Sequence, residues 1–230
     1  MKKIFIIFVI LILTGCTVNV DFKIDDQLNI NETINIDFDN SLASNYFTPY
    51  DYAKDSVEYY YDKIYENNYS YSIKQKDINS SVIFTKKSEN ICDNVNSYFS
   101  KELYENINCT SNEEYIVIES EGVQKLSLPM KYKTFNVENL SISVTLPVKA
   151  TKSNADIVNE STYIWKYNKN TSGDKSFYLK ISKEELENKL ARQKIDKVLD
   201  VGKVIVVILL IGFSTGIVLY RLYKKNQIEY

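Results

Sequence analysis

The chain has 230 residues, 28 of them basic and 30 acidic, for a net charge of −2 at pH 7, and it contains no histidine. The missing histidine excludes Ser-His-Asp and Cys-His catalysis and removes the commonest zinc ligand. Only six glycines occur, with no Walker-type loop or dinucleotide-binding fingerprint, which argues against a phosphate-cradling site.

Lys2 and Lys3 open the chain, an apolar run follows from Ile4 to Leu13, and Thr14, Gly15 and Cys16 close it. Charge, a short apolar segment and small residues in that order are the layout of an export signal. The run is too short to span roughly 30 Å of hydrocarbon as a helix. Leu13-Thr14-Gly15-Cys16 matches the lipobox of bacterial lipoproteins, in which the cysteine thiol takes a diacylglyceryl group and the signal is cut just before it. Residues 1–15 are therefore expected to be a signal peptide and Cys16 the lipidated start of the mature protein. Two acyl chains anchor far better than one, at about 0.8 kcal/mol per buried methylene.

The exported domain is expected over residues 16–181. Val18, Val20, Phe22 and Ile24 alternate with polar residues, as in a half-buried strand. Asp25 to Gln27 reads as a turn. Leu28, Ile30, Ile34, Ile36 and Phe38 then form the second arm of a hairpin, with Glu32 the one departure from alternation. Over Asp51 to Asn67 the period changes to three and four (Ala53, Val57, Tyr60 or Tyr61, and Ile64), predicting an amphipathic helix entered near Pro49. Tyr71, Ile73, Val82 and Phe84 predict a second hairpin. Ile91, Val95, Phe99 and Leu103 predict a second helix over Glu89 to Glu105. Further strands are expected at Glu114–Glu119, Leu140–Val148, Thr162–Tyr167 and Ser176–Ile181. The fold class is α+β: an antiparallel sheet with two packed helices.

Cys92 and Cys109 are the only cysteines after Cys16. An even pair in an exported, oxidising setting suggests a disulfide, closing a loop of about 18 residues worth about 3 kcal/mol in the chain-entropy model; two buried thiols are the alternative.

Residues 182–203 are charged and helix-prone, and read as a stalk. Val204 to Tyr220 is an uncharged run of about 17 residues, the lower limit for a transmembrane helix. Arg221, Lys224 and Lys225 follow, so the positive-inside rule puts residues 221–230 in the cytoplasm, with the domain outside the bacterial plasma membrane. Gly212 and Gly216 have the Gly-x-x-x-Gly spacing that lets helices approach, pointing to self-association.

Leu146-Pro147-Val148-Lys149, then Ser153-Asn154-Ala155, then Thr162-Tyr163-Ile164-Trp165-Lys166 resembles the LppM-domain family of bacterial envelope lipoproteins. Members show a strand ending in a Pro-Gly-Lys-like turn, an Asn turn and a strand carrying one Trp; Val148 stands here where Gly is usual. The lipobox with a strand hairpin directly after it agrees in layout. The resemblance implies a surface-exposed domain with an apolar interior and no established catalytic residues, and an envelope glycolipid or a host surface as the partner class. Read from the residues alone, Asn154 suits a left-handed turn and Trp165 a core position.

Setting aside the basic Lys2, Lys3, Arg221, Lys224 and Lys225 and the acidic Glu229 leaves a net charge near −6, which disfavours nucleic acid as a partner. The expected function is a non-catalytic, membrane-anchored binding or scaffold module, with membrane lipids contacted through both anchors and a neighbouring membrane protein as another candidate partner. No cofactor, metal site or catalytic residue is expected. The Tyr-rich stretch Tyr46, Phe47, Tyr50, Tyr52, Tyr59, Tyr60, Tyr61, Tyr65, Tyr69 and Tyr71 offers a platform for glycan or lipid, or is ordinary packing. The alternative function is a carrier of lipid or another small apolar ligand, which a large interior cavity would favour.

Overall fold

A computed structural model of the chain describes residues 15–92, 97–123, 126–131, 134–168 and 175–228. The expected signal peptide, apart from Gly15, lies outside them. Two compact units are present, residues 1–184 and residues 185–230.

The first unit opens with β1 (Cys16–Ile24) and β2 (Ile30–Phe38), then α1 (Pro49–Glu66), β3 (Ser70–Lys76) and β4 (Asn79–Ser88). After a short α2 (Tyr98–Leu103) come β5 (Tyr104–Glu105), β6 (Asn108–Ser111), β7 (Tyr115–Ser120), β8 (Gly122–Val123) and β9 (Ser127–Pro129). The unit ends with β10 (Thr134–Thr145), β11 (Lys152–Ser153), β12 (Ile157–Asn159), β13 (Thr162–Tyr167) and β14 (Phe177–Ser182).

The large sheet has the order β12-β13-β10-β1-β2-β4-β3, with β9 also paired to β10. A smaller sheet has the order β11-β14-β7-β6. Every neighbour in the large sheet is antiparallel except the central pair, β1 and β10, which run parallel. The expected antiparallel sheet is thus corrected to a mixed one. Alternation reports which face a residue takes and not which way its neighbour runs. The parallel pair needs a long crossover, and here the segment from β2 to β10 supplies it.

Register places Trp165, Ile142, Val20, Ile34 and Phe84 side by side in one row on one face. All five are buried. The face is covered in two parts. Over β2 and β4 lies α1, burying Ala53, Val57, Tyr60 and Ile64. Over β13 lies the smaller sheet, whose Phe177 meets the Trp165 ring at 4.2 Å.

Local chemistry sets the boundaries. The β1–β2 turn is held by the Asp25 carboxylate, which accepts from the backbone N–H groups of Gln27 and Asn29 at 2.8 and 2.9 Å. Those bonds offset the cost of Leu28 at φ 65°, a conformation that disfavours a residue with a Cβ. Helix α1 begins with a capping box. The Thr48 hydroxyl accepts from the Asp51 N–H at 3.3 Å, and the Thr48 N–H donates to the Asp51 carboxylate at 2.8 Å. Pro49 takes the first helical position, where its missing N–H is harmless. The helix closes through Asn68 at φ 57°, with the Tyr69 N–H donating to the Ile64 carbonyl at 2.9 Å.

The cap gives a pH-dependent expectation. The hydrogen bond from the Thr48 side chain holds the Asp51 carboxyl below its ordinary range. A depressed pKa stabilises the fold above the unfolded value, and that contribution is lost as pH falls through the folded value. Thr48→Ala should cost about 1 kcal/mol at pH 7. In urea titrations the gap from wild type should narrow toward acid pH; a gap constant with pH would show that the box is not charge-assisted.

Two further expectations are corrected. The helix expected over Glu89–Glu105 is not one element: residues 93–96 lie outside the described ones, α2 spans only Tyr98–Leu103, and the chain turns to strand at Tyr104. The buried Ile91 and Phe99 that suggested one period sit on separate pieces.

The second unit is helical: α3 runs unbroken from Lys183 to Ile228, so the expected stalk, span and tail are one helix. Among the described residues no helix is long and apolar enough to cross a membrane, which overturns the transmembrane expectation for residues 204–220. The apolar run stood at the lower limit of length, and Gly212, Ser214, Thr215 and Gly216 interrupt it with small and polar residues. Gly212 and Gly216 both lie within α3, and a Cβ added at Gly216 would meet no atom within 4 Å.

Candidate functional site

Glu32 interrupts the apolar alternation of β2, yet its side chain lies on the core face and the residue is only 1% exposed. A carboxylate there needs hydrogen-bond donors. The Tyr69 hydroxyl donates to one oxygen at 2.7 Å and the Ser97 hydroxyl to the other at 3.2 Å. Tyr69 follows the end of α1 and Ser97 precedes α2, so the buried acid joins three separate stretches of chain. Burial, then the Glu32 charge, pushes the Tyr69 hydroxyl well above its ordinary range, so it stays protonated and donates.

The register puts Lys86 directly across from Glu32 on β4. Its ammonium lies 5.3 Å from the centre of the Tyr69 ring. An open groove of about 870 Å³ forms over this corner. Glu32 and Tyr69 lie in it, Asn31, Thr33, Ser70, Thr85, Lys86 and Lys87 line it along the strands, and Tyr65 and Asn68 line it from the end of α1. Tyr65 is 80% exposed. Glu32 and Lys86 take the face that α1 covers while Asn31, Thr33, Thr85 and Lys87 alternate to the other, so the groove is a notch in the sheet lined from both faces. A second cavity, between β1, β2, β10 and α2, is apolar, lined by residues such as Val18, Ile36, Phe99 and Leu140, and its volume is only about 30 Å³.

Cys16 begins β1 on the core face and is 1% exposed. Burial pushes its thiol up to about 12, so in the closed fold it is not a nucleophile. Its pairing with Val137 is separated by a register shift from the regular ladder that starts at Thr17, and its antiparallel ladder with β2 also starts at Thr17. Cys92 and Cys109 are joined in a disulfide, with Cα atoms 5.3 Å apart, which ties the segment before α2 to β6.

The tyrosine-rich stretch is not a single platform. Tyr52, Tyr60 and Tyr69 are core residues. Tyr46, Phe47 and Tyr50 are exposed at the start of α1, and Tyr61, Tyr65 and Tyr71 elsewhere. Asn154 is not in the left-handed conformation. It acts through its side chain, which accepts from the Trp165 indole N–H and the Tyr178 N–H, each at 2.8 Å, and donates to the Ser176 carbonyl at 2.9 Å. The sequence flagged Glu32 only as an irregularity. The groove residues Lys86, Lys87, Asn31 and Asn68 carried no signal, because each reads as ordinary solvated polarity.

No protein-family model matches the chain, and no curated protein matches it by sequence. Among solved structures, the folded domain of the Mycobacterium tuberculosis LppM protein, determined by NMR, is similar with a TM-score of 0.45 and 11% sequence identity. The match covers 74% of this chain and 91% of that one. Similarity at that level assigns no function.

Proposed function

We propose that the chain is a non-catalytic binding module of the bacterial cell envelope, tethered by lipid at Cys16, whose groove takes a hydroxyl-rich ligand of the glycan class. The groove of about 870 Å³ carries this reading. Sugars present apolar C–H faces and hydroxyl edges, and tyrosine rings beside amides, hydroxyls and lysines suit both. The apolar cavity between β1, β2, β10 and α2, at about 30 Å³, has no room for an acyl chain.

The tether is compatible with the fold if lipidation precedes closure of the sheet. The precursor is modified as an unfolded chain at the membrane, and the modified side chain then stays outside the core. Releasing Cys16 costs little of the sheet, since the regular pairs of β1 begin at Thr17.

Saturation-transfer NMR with solubilised peptidoglycan fragments tests the groove. Transfer to sugar protons is expected with the wild-type protein, and Tyr65→Ala and Lys86→Ala should each weaken binding about tenfold, or about 1.4 kcal/mol. Absence of transfer, or transfer untouched by both substitutions, would overturn the glycan reading.

A further inference from the structure

The exposed aromatic residues at the start of α1 lie at the same end of the sheet as Cys16. Thr17 pairs with Asp37, so the first residue of β1 lies beside the last residues of β2. Phe38 ends β2 and touches Tyr52 at 6.3 Å between ring centres. Tyr52 also meets Phe135 at 4.8 Å, two residues before the Val137 that pairs with Cys16. Phe47 stacks on the outer side of this cluster, 5.6 Å from Tyr52. Beyond it Tyr46 is 88% exposed.

This loop is held in place. The Ser44 N–H donates to the Phe47 carbonyl at 2.9 Å, and the Ser44 hydroxyl accepts from the Tyr46 and Phe47 N–H groups at 3.3 and 3.1 Å. An ordered loop that presents a tyrosine to solvent has already met the entropic cost of ordering before it meets a partner. The Lys54 ammonium lies 5.4 Å from the Tyr50 ring centre, so a cation sits beside that ring.

We infer that the loop bearing Tyr46 and Phe47, with Tyr50 in the first turn of α1, is a foot that docks on the headgroup layer of the membrane beside the Cys16 anchor. The inference rests on the lipid tether proposed above. Tyrosine suits that layer, because its ring is apolar on its faces and hydrogen-bonds at its hydroxyl, and the phenylalanine beside it adds apolar surface. A lipid at Cys16 brings this end of the unit to the bilayer, and among the described residues no other large exposed aromatic cluster shares that end with it. Docking also fixes the position of the groove. Glu32 pairs with Phe22, six residues along β1 from Cys16, or about 20 Å at strand rise. With the foot down, the groove lies at the part of β1 remote from the anchor, within reach of ligands outside the bilayer.

The test uses the full-length protein, purified with its native modification and reconstituted in phosphatidylcholine–phosphatidylglycerol vesicles containing brominated phosphatidylcholine. Trp165, the one native tryptophan, is 0% exposed and supplies an unquenched background. Tyr46→Trp should add emission that the brominated lipid quenches about twofold, as for an interfacial ring. Tyr65→Trp, at the groove end, should add emission that it leaves unchanged. Mass spectrometry of the same preparation reads the diacyl group on Cys16. Unquenched Tyr46→Trp emission on a chain carrying that lipid overturns the foot alone, as does equal quenching at both positions. Absence of lipid on Cys16 overturns the tether and, with it, the foot.

Discussion

Trp165→Ala is expected to destabilise the first unit by about 3–5 kcal/mol, the range for removing a large aromatic from a packed core. The side chain is fully buried at the middle of β13, where it meets Phe177 across the two sheets. Its indole N–H reaches Asn154, and Asn154 in turn holds the backbone of β14 at Tyr178 and the adjoining Ser176 carbonyl. The loss is thus both a cavity and a broken link between the sheets. A unit of this size should melt on the order of 10 °C lower. Trp165→Phe keeps a ring against Phe177 but gives up the hydrogen bond, so it should fall between the two. A double-mutant cycle with Asn154→Ala isolates that bond. Asn154 is exposed, so water can take its place, and the coupling should be about 1 kcal/mol. A Trp165→Ala protein as stable as wild type would mean that the two sheets do not meet through this residue.

The same pair of residues shows how far the sequence could be read. Trp165 is legible as core because a large aromatic in an alternating strand has few other places to go. Asn154 is not legible in its actual role. Asparagine before a strand suggests a turn, whereas here the side chain bridges residues 11 and 24 positions away, and nothing local marks that geometry. The same limit explains the sheet. The strands β1, β2, β4 and β13 announce themselves through period-two burial, but the parallel partnership of β1 with β10 joins residues about 120 positions apart. Local pattern carries no information about it. Short strands such as β5, β8 and β11 have two residues each, too few to make a period.

Glu32 is the instructive case for the candidate site. As the polar member of an apolar series it is visible, but the series alone does not say whether the strand bulges, the residue points out, or the acid is buried. The structure chooses the last, because Tyr69 and Ser97 bring hydroxyls to it from outside the strand. The groove then follows from a difference in strand length: β3 begins at Ser70, opposite Thr85, and leaves the edge of β4 at Lys86 and Lys87 without a neighbouring strand. Such a step between strands depends on tertiary pairing and is invisible in composition. The long helix α3 teaches the opposite lesson, since there a strong local signal for three segments resolved into one continuous element.

Replacing Cys92 and Cys109 together by alanine should cost about 3 kcal/mol, the chain-entropy value for a loop of this length. The two residues are 17 positions apart in sequence, and the bridge fastens Cys92 to β6, whose partner β7 belongs to the smaller sheet. The segment between them contains Ser97 and α2, so the bridge also restrains a hydroxyl that donates to Glu32. Freed of it, the unfolded chain gains the conformations that the cross-link denies it, and Ser97 has more freedom to leave the buried carboxylate. The consequence should therefore have two parts. The urea midpoint should fall, and hydrogen exchange should quicken more at α2 and the Glu32 end of β2 than at β10 or β13, which the bridge does not touch. Reduction of the wild-type protein should reproduce both effects. If the midpoint falls but exchange rises evenly throughout the unit, the bridge acts only on the unfolded chain, and the groove floor does not depend on it.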